Sequence, residues 1–280
     1  MLIAQITDIH IGFHRDRLDD PNLARFRQVL DRLCHGPDRP DLLLLTGDLT
    51  EHGDAASMAA LANALAGCPF PVWPIPGNHD SRAALASAFA QVPQAGFIHY
   101  AIDCGDLRLL MLDSLEEGRH GGAFCATRAG WLEAQLAAHP DTPTVIAVHH
   151  PPLAVGIDWM DPDPDAAWIG RLGDVVARHN HIRAVLCGHV HRSVASVFRG
   201  VPLVICPSSS AGLALDLRHV DPADPDGRSM VVDDDPGFAL HHWDGRNLIT
   251  HFAQAPDAPA LARYDDRFQQ LVIQMAAERS

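Results

Sequence analysis

The chain has 280 residues and a formal net charge of -14 with histidine counted neutral. That balance argues against a duplex nucleic-acid footprint, because neutralising phosphates needs clustered Lys and Arg. A hydrophobic fraction of 47% is enough for a sizeable core and excludes general disorder outside the Asp/Pro-rich stretches. The length fits one α/β unit with embellishments over residues 1–255, followed by a helical tail at 256–280. Six cysteines (Cys34, Cys68, Cys104, Cys125, Cys187, Cys206) form no C-x-x-C pair, so neither a zinc knuckle nor a redox motif is written. Cys187 and Cys206 lie in apolar runs and read as buried, inert thiols. Met1 to Gln5 runs directly into the first strand without a basic leader, and no apolar run has membrane-spanning length. A cytoplasmic protein is expected.

Leu2 to Thr7 is a short β-prone run ending at Asp8-Ile9-His10. Alternate residues of an extended segment share a face, so Asp8 and His10 can reach one ion together. Asp20-Pro21 supplies an N-cap and a first-turn proline for a helix with Leu23, Phe26, Leu30 and Leu33 on its apolar face. Asp41 to Thr46 is too uninterrupted for a half-exposed strand and reads as a central strand buried on both faces, delivering Gly47-Asp48.

A helix is expected over Ala55 to Ala66, then a strand from Pro69 to Pro76 that opens into Gly77-Asn78-His79-Asp80. Helix 81–90 follows at once, which would put this loop at a helix start that favours anions. Ile98 to Asp103 and Arg108 to Ser114 flank the turn Cys104-Gly105-Asp106. Helix Thr127 to His139 leads to the strand Thr144 to Val148 and then to His149-His150. Residues 156–170 read as a loop over the site, followed by helix 171–179 and the strand Ile182 to Cys187, which ends at Gly188-His189-Val190-His191. Strands Ser193 to Arg199 and Val201 to Cys206 come next, and 216–236 reads as irregular. Gly237 to Trp243 and Asn247 to Phe252 meet at the hairpin signal Asp244-Gly245, and Asp265 to Ser280 reads as helical.

Five clusters of Asp, Asn and His thus follow five apolar runs. Imidazole and carboxylate donors without thiolate suit two ions of the Mn, Fe, Zn or Co kind. A pair of ions needs a bridging ligand, and Asp48, whose carboxylate has two oxygens, is the natural one. Asp8, His10 and one histidine of the H-x-H pair can complete one ion; Asn78, His149 and the other histidine complete the second. His79 is left free to hydrogen-bond, and His150, facing the opposite way from His149, reads as a supporting or packing residue.

These motifs resemble the five-block signature of the calcineurin-like metallophosphoesterases over roughly residues 1–210. They are most similar to bacterial class III cyclic nucleotide phosphodiesterases and glycerophosphodiesterases, through Gly77 to Arg82, Gly156-Ile157-Asp158-Trp159-Met160-Asp161 and Leu240-His241-His242-Trp243-Asp244-Gly245. The resemblance implies an α/β fold, a four-layer αββα sandwich of two mixed sheets flanked by helices, with the site at the strand C-termini. It places Asp8, His10, Asp48 and His191 on one ion, and Asp48, Asn78, His149 and His189 on the other. It also makes a homodimer or larger assembly plausible.

The chemistry then expected is hydrolysis of small phosphodiesters such as 3',5'-cyclic nucleotides by a metal-bound hydroxide. Asn78 and the helix start at Ser81 would steady the non-bridging oxygens, and His79 would serve the leaving group with Asp80 as its orienting partner. His52, Arg82, His120, Trp159, Met160 and His219 are candidates for the substrate mouth, whereas His241 and His242 read as surface or strand histidines. Loops 115–126, 156–170 and 211–236 would set substrate choice. The alternatives are a glycerophosphodiesterase or broad phosphomonoesterase on the same site, a nuclease acting on short single strands, and an inactive protein-binding module that keeps the fold.

Overall fold

The computed structural model describes residues 1–14 and 19–279, so the last residue of the tail, Ser280, lies outside the described residues. In chain order the elements are β1 (Leu2–Ile6), α1 (Pro21–His35), β2 (Leu42–Thr46), α2 (Ala55–Leu65), β3 (Val72–Ile75), α3 (Arg82–Ala88), β4 (Tyr100–Cys104) and β5 (Leu107–Leu112). They continue with α4 (Ala126–Ala138), β6 (Thr144–Val148), α5 (Ala167–Val176), β7 (Ile182–Cys187), β8 (Val194–Phe198) and β9 (Val201–Ile205). The short strands β10 (Gly212–Leu213) and β11 (Val231–Val232) precede β12 (Gly237–Trp243), β13 (Leu248–Gln254) and α6 (Asp266–Ala277). No described helix is long and apolar enough to cross a membrane.

Two mixed sheets organise the chain, one in the order β13-β12-β1-β2-β3 and the other β4-β5-β6-β7-β9-β8. Three apolar layers follow from the alternation of side chains along these strands. On β2, Leu43 and Leu45 face α1, α2 and α3 with Ala4, Phe26 and Leu61, while Leu42 and Leu44 face the second sheet with Leu109, Val145 and Leu186. The far side of the second sheet packs Leu110, Ile146 and Val185 on Leu132, Leu136 and Leu172 of α4 and α5. Two sheets flanked by helices, the expected α/β arrangement, are therefore what the sequence builds, and the uninterrupted Leu run of β2 is buried on both faces as anticipated.

The local signals act as written. The side chain of Asp20 accepts from the backbone N–H groups of Asn22 and Leu23 at the start of α1, where Pro21 has no donor to lose. Two helix boundaries differ from the expectation, and two strand pairings add to it. Helix α5 begins at Ala167 rather than 171, because Trp168 and Ile169 find an apolar layer to bury in. Helix α3 is only seven residues, since Phe89 leaves the helix in an extended conformation. Strand β9, not β8, pairs with β7, so the last two strands of that sheet reverse their chain order. Within the Asp/Pro-rich stretch, Val231 and Val232 pair with Leu213 and Gly212 as a short ladder.

Two buried polar groups inside the sandwich are satisfied through chains of hydrogen bonds. Gln5 on β1 donates its amide to Thr46 Oγ1 (2.8 Å) and to Cys187 O (3.0 Å), joining the two sheets. Its Oε1 faces His241 Nε2 at 3.0 Å, and His241 Nδ1 meets Thr250 Oγ1 at 2.8 Å. His241 is thus a fully buried strand residue, whereas His242 on the other face of β12 is exposed. A second buried group is Asp113, whose carboxylate accepts from Arg82 Nε (2.6 Å) and Nη2 (2.8 Å) and from the backbone N–H groups of Ile98 (2.9 Å) and Leu115 (3.0 Å). Arg82 is committed there and does not line the substrate mouth.

Burial holds the His241 imidazole down to about 3, below its ordinary 6.5. The neutral ring's contribution to stability is therefore complete above about pH 6.5 and is lost as pH falls from there toward 3, at up to about 1.4 kcal/mol per unit. Urea titrations of His241→Gln at pH 7.5 and 4.5 should show the variant's stability falling roughly 2–3 kcal/mol less than the parent's over that interval. Asp113→Ala takes the acceptor from Arg82 Nε and from the backbone N–H groups of Ile98 and Leu115, and should cost about 3–5 kcal/mol in the same assay at pH 7.5.

Candidate metal centre

The five expected clusters meet at one end of the two sheets. Loop 7–11 after β1 is zipped to loop 47–51 after β2: Asp8 N donates to Gly47 O (3.0 Å), Ile9 N and His10 N to Asp48 O (2.8 and 3.0 Å), and Ile11 N to Leu49 O (3.2 Å). Asp8 and His10 do not converge by strand alternation, since β1 ends at Ile6. Both have left-handed backbones (φ 52° each), as do Asp48 (49°), His189 (73°) and His191 (54°). Of the six non-glycine residues with positive φ among the described residues, these are five. Such conformations are costly away from glycine and collect where a site dictates the backbone.

Two glycines make the approach possible by lacking a side chain. A Cβ on Gly77 would lie 2.2 Å from Asp48 Oδ1, and one on Gly188 would lie 2.0 Å from Thr7 Oγ1 and 3.0 Å from Asp8 Oδ2. Each of these glycines directly precedes a candidate ligand, Asn78 or His189, so one loop's ligand is delivered against the next loop's carboxylate.

At the centre, His10 Nε2 and His191 Nε2 are 3.2 Å apart, and His191 Nε2 is 3.4 Å from Asp8 Oδ1. Asp48 Oδ2 is 3.7 Å from His10 Nε2 and 3.2 Å from His149 Nε2, which is in turn 3.3 Å from Asn78 Oδ1. One oxygen of Asp48 thus faces both halves of the cluster. The other, Oδ1, accepts from His79 N at 2.9 Å. His189 lies beside His149, ring centroids 5.2 Å apart, and its backbone N–H is held by both oxygens of Asp8.

The far ring nitrogen of three of these histidines is already engaged. His10 Nδ1 meets Glu51 Oε2 at 2.7 Å, His149 Nδ1 meets Thr46 O at 2.8 Å, and His191 Nδ1 meets Ala211 O at 2.8 Å. Acceptor-only partners fix Nδ1–H, which turns each Nε2 inward, where a metal ion could replace whatever proton it carries. Between His10 and His191 the two Nε2 atoms face each other at 3.2 Å, an arrangement that either a bound cation or one shared proton satisfies. Triads of ligand atoms within 4.8 Å include Asp8–His10–His191, Asp8–Asp48–His149, His10–Asp48–His79 and His149–His150–His189. The donor set of imidazole, carboxylate and amide oxygen fits two borderline divalent ions.

Charge follows the geometry. Burial opposes ionising Asp48, yet His149, His10 and His79 together hold its carboxyl well below the usual range. Burial would lower His149, but Asp48 raises it to about 9. His150 is driven down to about 3 by burial and by His149. Its ring lines the cavity, but its nitrogens are taken by Ser114 Oγ (2.8 Å) and His120 O (3.1 Å).

Asp80 departs from its expected role. It does not orient His79; its buried carboxylate accepts from the backbone N–H groups of Leu49 (3.0 Å), Thr50 (2.9 Å) and Gly77 (2.9 Å) and clasps two ligand loops together. The partner of His79 is Glu51, whose carbonyl accepts from His79 Nδ1 at 3.0 Å and whose carboxylate lies 3.5 Å away. Glu51 escaped the sequence reading, although an acid three residues past Asp48 in a strand-end loop was a signal. Ser81 accepts from Ala84 N and caps its own short helix, away from the cavity. His120, Trp159 and Met160 line the cavity; His52 and His219 do not, and His219 pairs with Asp158 at 3.0 Å.

Because Glu51 fixes the tautomer of His10, Glu51→Ala should weaken metal retention about 10–100-fold, and Glu51→Gln should do so less. Metal content after dialysis against graded chelator reads this directly.

The sequence profile described as calcineurin-like phosphoesterase matches residues 1–193, which hold every candidate ligand. A glycerophosphodiester phosphodiesterase of Enterobacter lignolyticus is 32% identical over 260 residues, covering 90% of each chain. The 3',5'-cyclic adenosine monophosphate phosphodiesterase of Escherichia coli K12 is 31% identical over 210 residues, covering 74% of this chain and 75% of that one. Among solved structures, a dimetal phosphatase from Danio rerio superimposes with a TM-score of 0.59 at 14% identity, covering 89% of this chain and 98% of that one, a likeness of fold. The shared fold, the matching profile and these relatives lead to one statement: the chain belongs to the calcineurin-like phosphoesterase family.

Proposed function

We propose that the protein hydrolyses small phosphodiesters such as 3',5'-cyclic nucleotides, with Asp8, His10, Asp48 and His191 holding one ion and Asp48, Asn78, His149 and His189 the other. The observation that carries this reading is the inward-facing set of Nε2, carboxylate and amide oxygens around Asp48 Oδ2. When bound, two such ions would lower the pKa of coordinated water and polarise the non-bridging phosphoryl oxygens. Residues 1–255 are the catalytic domain in this reading, and α6 lies outside the site.

The chain's own residues supply position and proton handling. Asp48 takes one hydrogen bond from the His79 backbone, so the loop that carries Asn78 and His79 is registered against the bridging carboxylate. With its Nδ1 donating to Glu51 O, His79 lines the cavity, and as the imidazolium, with Nε2 also protonated, it can give the Nε2 proton to the leaving alkoxide and return to the neutral Nδ1–H form. Hydrolysis of glycerophosphodiesters at the same site is a second reading, favoured by the Enterobacter lignolyticus relative that covers 90% of the chain.

Purified Mn-loaded protein should turn over bis(p-nitrophenyl) phosphate in preference to p-nitrophenyl phosphate. Asp48→Ala should lose bound metal and lower turnover by more than about 100-fold, beyond the loss typical of groups that only support ligands. Turnover of the monoester alone would sink the diester reading, and an Asp48→Ala variant with full metal and full rate would sink the bridge.

A further inference from the structure

The cavity above the ligand cluster has a volume of about 780 Å³, in the range that takes a small organic ligand. Its two sides differ in chemistry. The floor is the imidazole, amide and carboxylate set described above; the wall is made by Leu153, Val155, Trp159, Met160, Trp168 and Val190. That wall is built, not incidental. Trp168 and Val190 are 9% and 2% exposed, and Leu153, Val155 and Met160 pack against the same apolar layer as they do.

One carboxylate ties the wall into shape. Asp161 accepts from the backbone N–H groups of Val155 (2.7 Å) and Gly156 (2.9 Å), while Met160 N and Asp161 N donate to Ile157 O (2.8 and 3.1 Å). Residues 155–161 therefore close into a compact turn that sets Trp159 and Met160 over the cavity. Asp158 fastens the same turn to the 216–236 segment by accepting from Val220 N at 2.8 Å. Trp159 is left 37% exposed at the mouth, although an indole gains much from cover.

Cleaving a P–O bond requires cations and hydrogen-bond donors at phosphorus, and an apolar wall stabilises neither the phosphate nor its transition state. The wall matches instead the organic arm of the ester. Resting on the diesterase reading above, we infer that the substrate carries a flat, ring-bearing ester arm that lies against Trp159 and Met160, and that Trp159 is a specificity-determining residue selecting such arms over methyl- or polyol-sized ones.

Diphenyl phosphate and dimethyl phosphate, which differ in their arms and share the phosphodiester, are the probes. Each is measured as a competitive inhibitor of bis(p-nitrophenyl) phosphate turnover by the Mn-loaded protein and, separately, by calorimetric binding. The wild type should bind the diphenyl ester about 10-fold more tightly, the discrimination that one apolar contact surface provides. Trp159→Ala should abolish that preference and leave dimethyl phosphate binding and metal content within twofold, and Trp159→Phe should keep most of the preference. Equal affinities in the wild type, or a ratio that Trp159→Ala does not move, overturn the inference and reduce the wall to a water-excluding role. Absence of turnover with every metal refutes the diesterase reading instead, and the calorimetric ratio then still decides the wall.

Discussion

Two carboxylates, Asp8 and Asp48, are buried at 0% and 2% exposure in the seam between the sheets, and their ionic partners there are imidazoles. Isolated charges in such a place are prohibitive, so the groups around them must supply positive charge and donors in fixed positions. Much of the local architecture follows from that requirement. The zipped loops, the glycines that precede ligands and the clasp of Asp80 each bring a donor or a ligand to the carboxylates. Asp48 and Asp8 lift His149, while His149, His10 and His79 depress Asp48, so opposite charges in this pocket hold one another in place.

The left-handed residues show what this arrangement costs. Each of the five departs from the backbone its residue type prefers, at of order 1–3 kcal/mol each, and each is overdetermined by hydrogen bonds or packing. Ile9 and Leu49, both fully buried, anchor the loops on either side of those turns. Strain at the ligands is thus balanced by ordinary core packing one residue away. The apolar layers of the sandwich and the chemistry of its open end are continuous parts of the same segments.

How much of this was legible in the sequence depends on whether a residue's partner was local. The Leu run of β2, the Asp20 cap and the hairpin at Asp244-Gly245 could be read because their signals lie within a few residues. The candidate ligands could be singled out because each follows a strand, although the reason they approach one another differs: left-handed turns, not strand alternation, bring Asp8 and His10 together. Glu51 and Asp80 exchanged roles because orienting His79 is a matter of distance across loops, and adjacency in sequence misled. The position of β9 beside β7, and of Arg82 on Asp113, is set by packing between segments far apart in the chain and left no local trace.

The placement of β1 has a consequence for how the molecule is assembled. This strand pairs in parallel with β2, its near neighbour, but its other edge is covered by β12, with Leu2 opposite His242 and Gln5 opposite Ala239. During synthesis, then, β1 waits with an open edge until β12 has emerged, and the Gln5–His241 contact cannot form before that moment. Closure of this edge therefore rests on distant pairing, the kind that pays loop-closure entropy before contacts reward it, and until the β12–β13 hairpin arrives β1 keeps an apolar, unpaired edge.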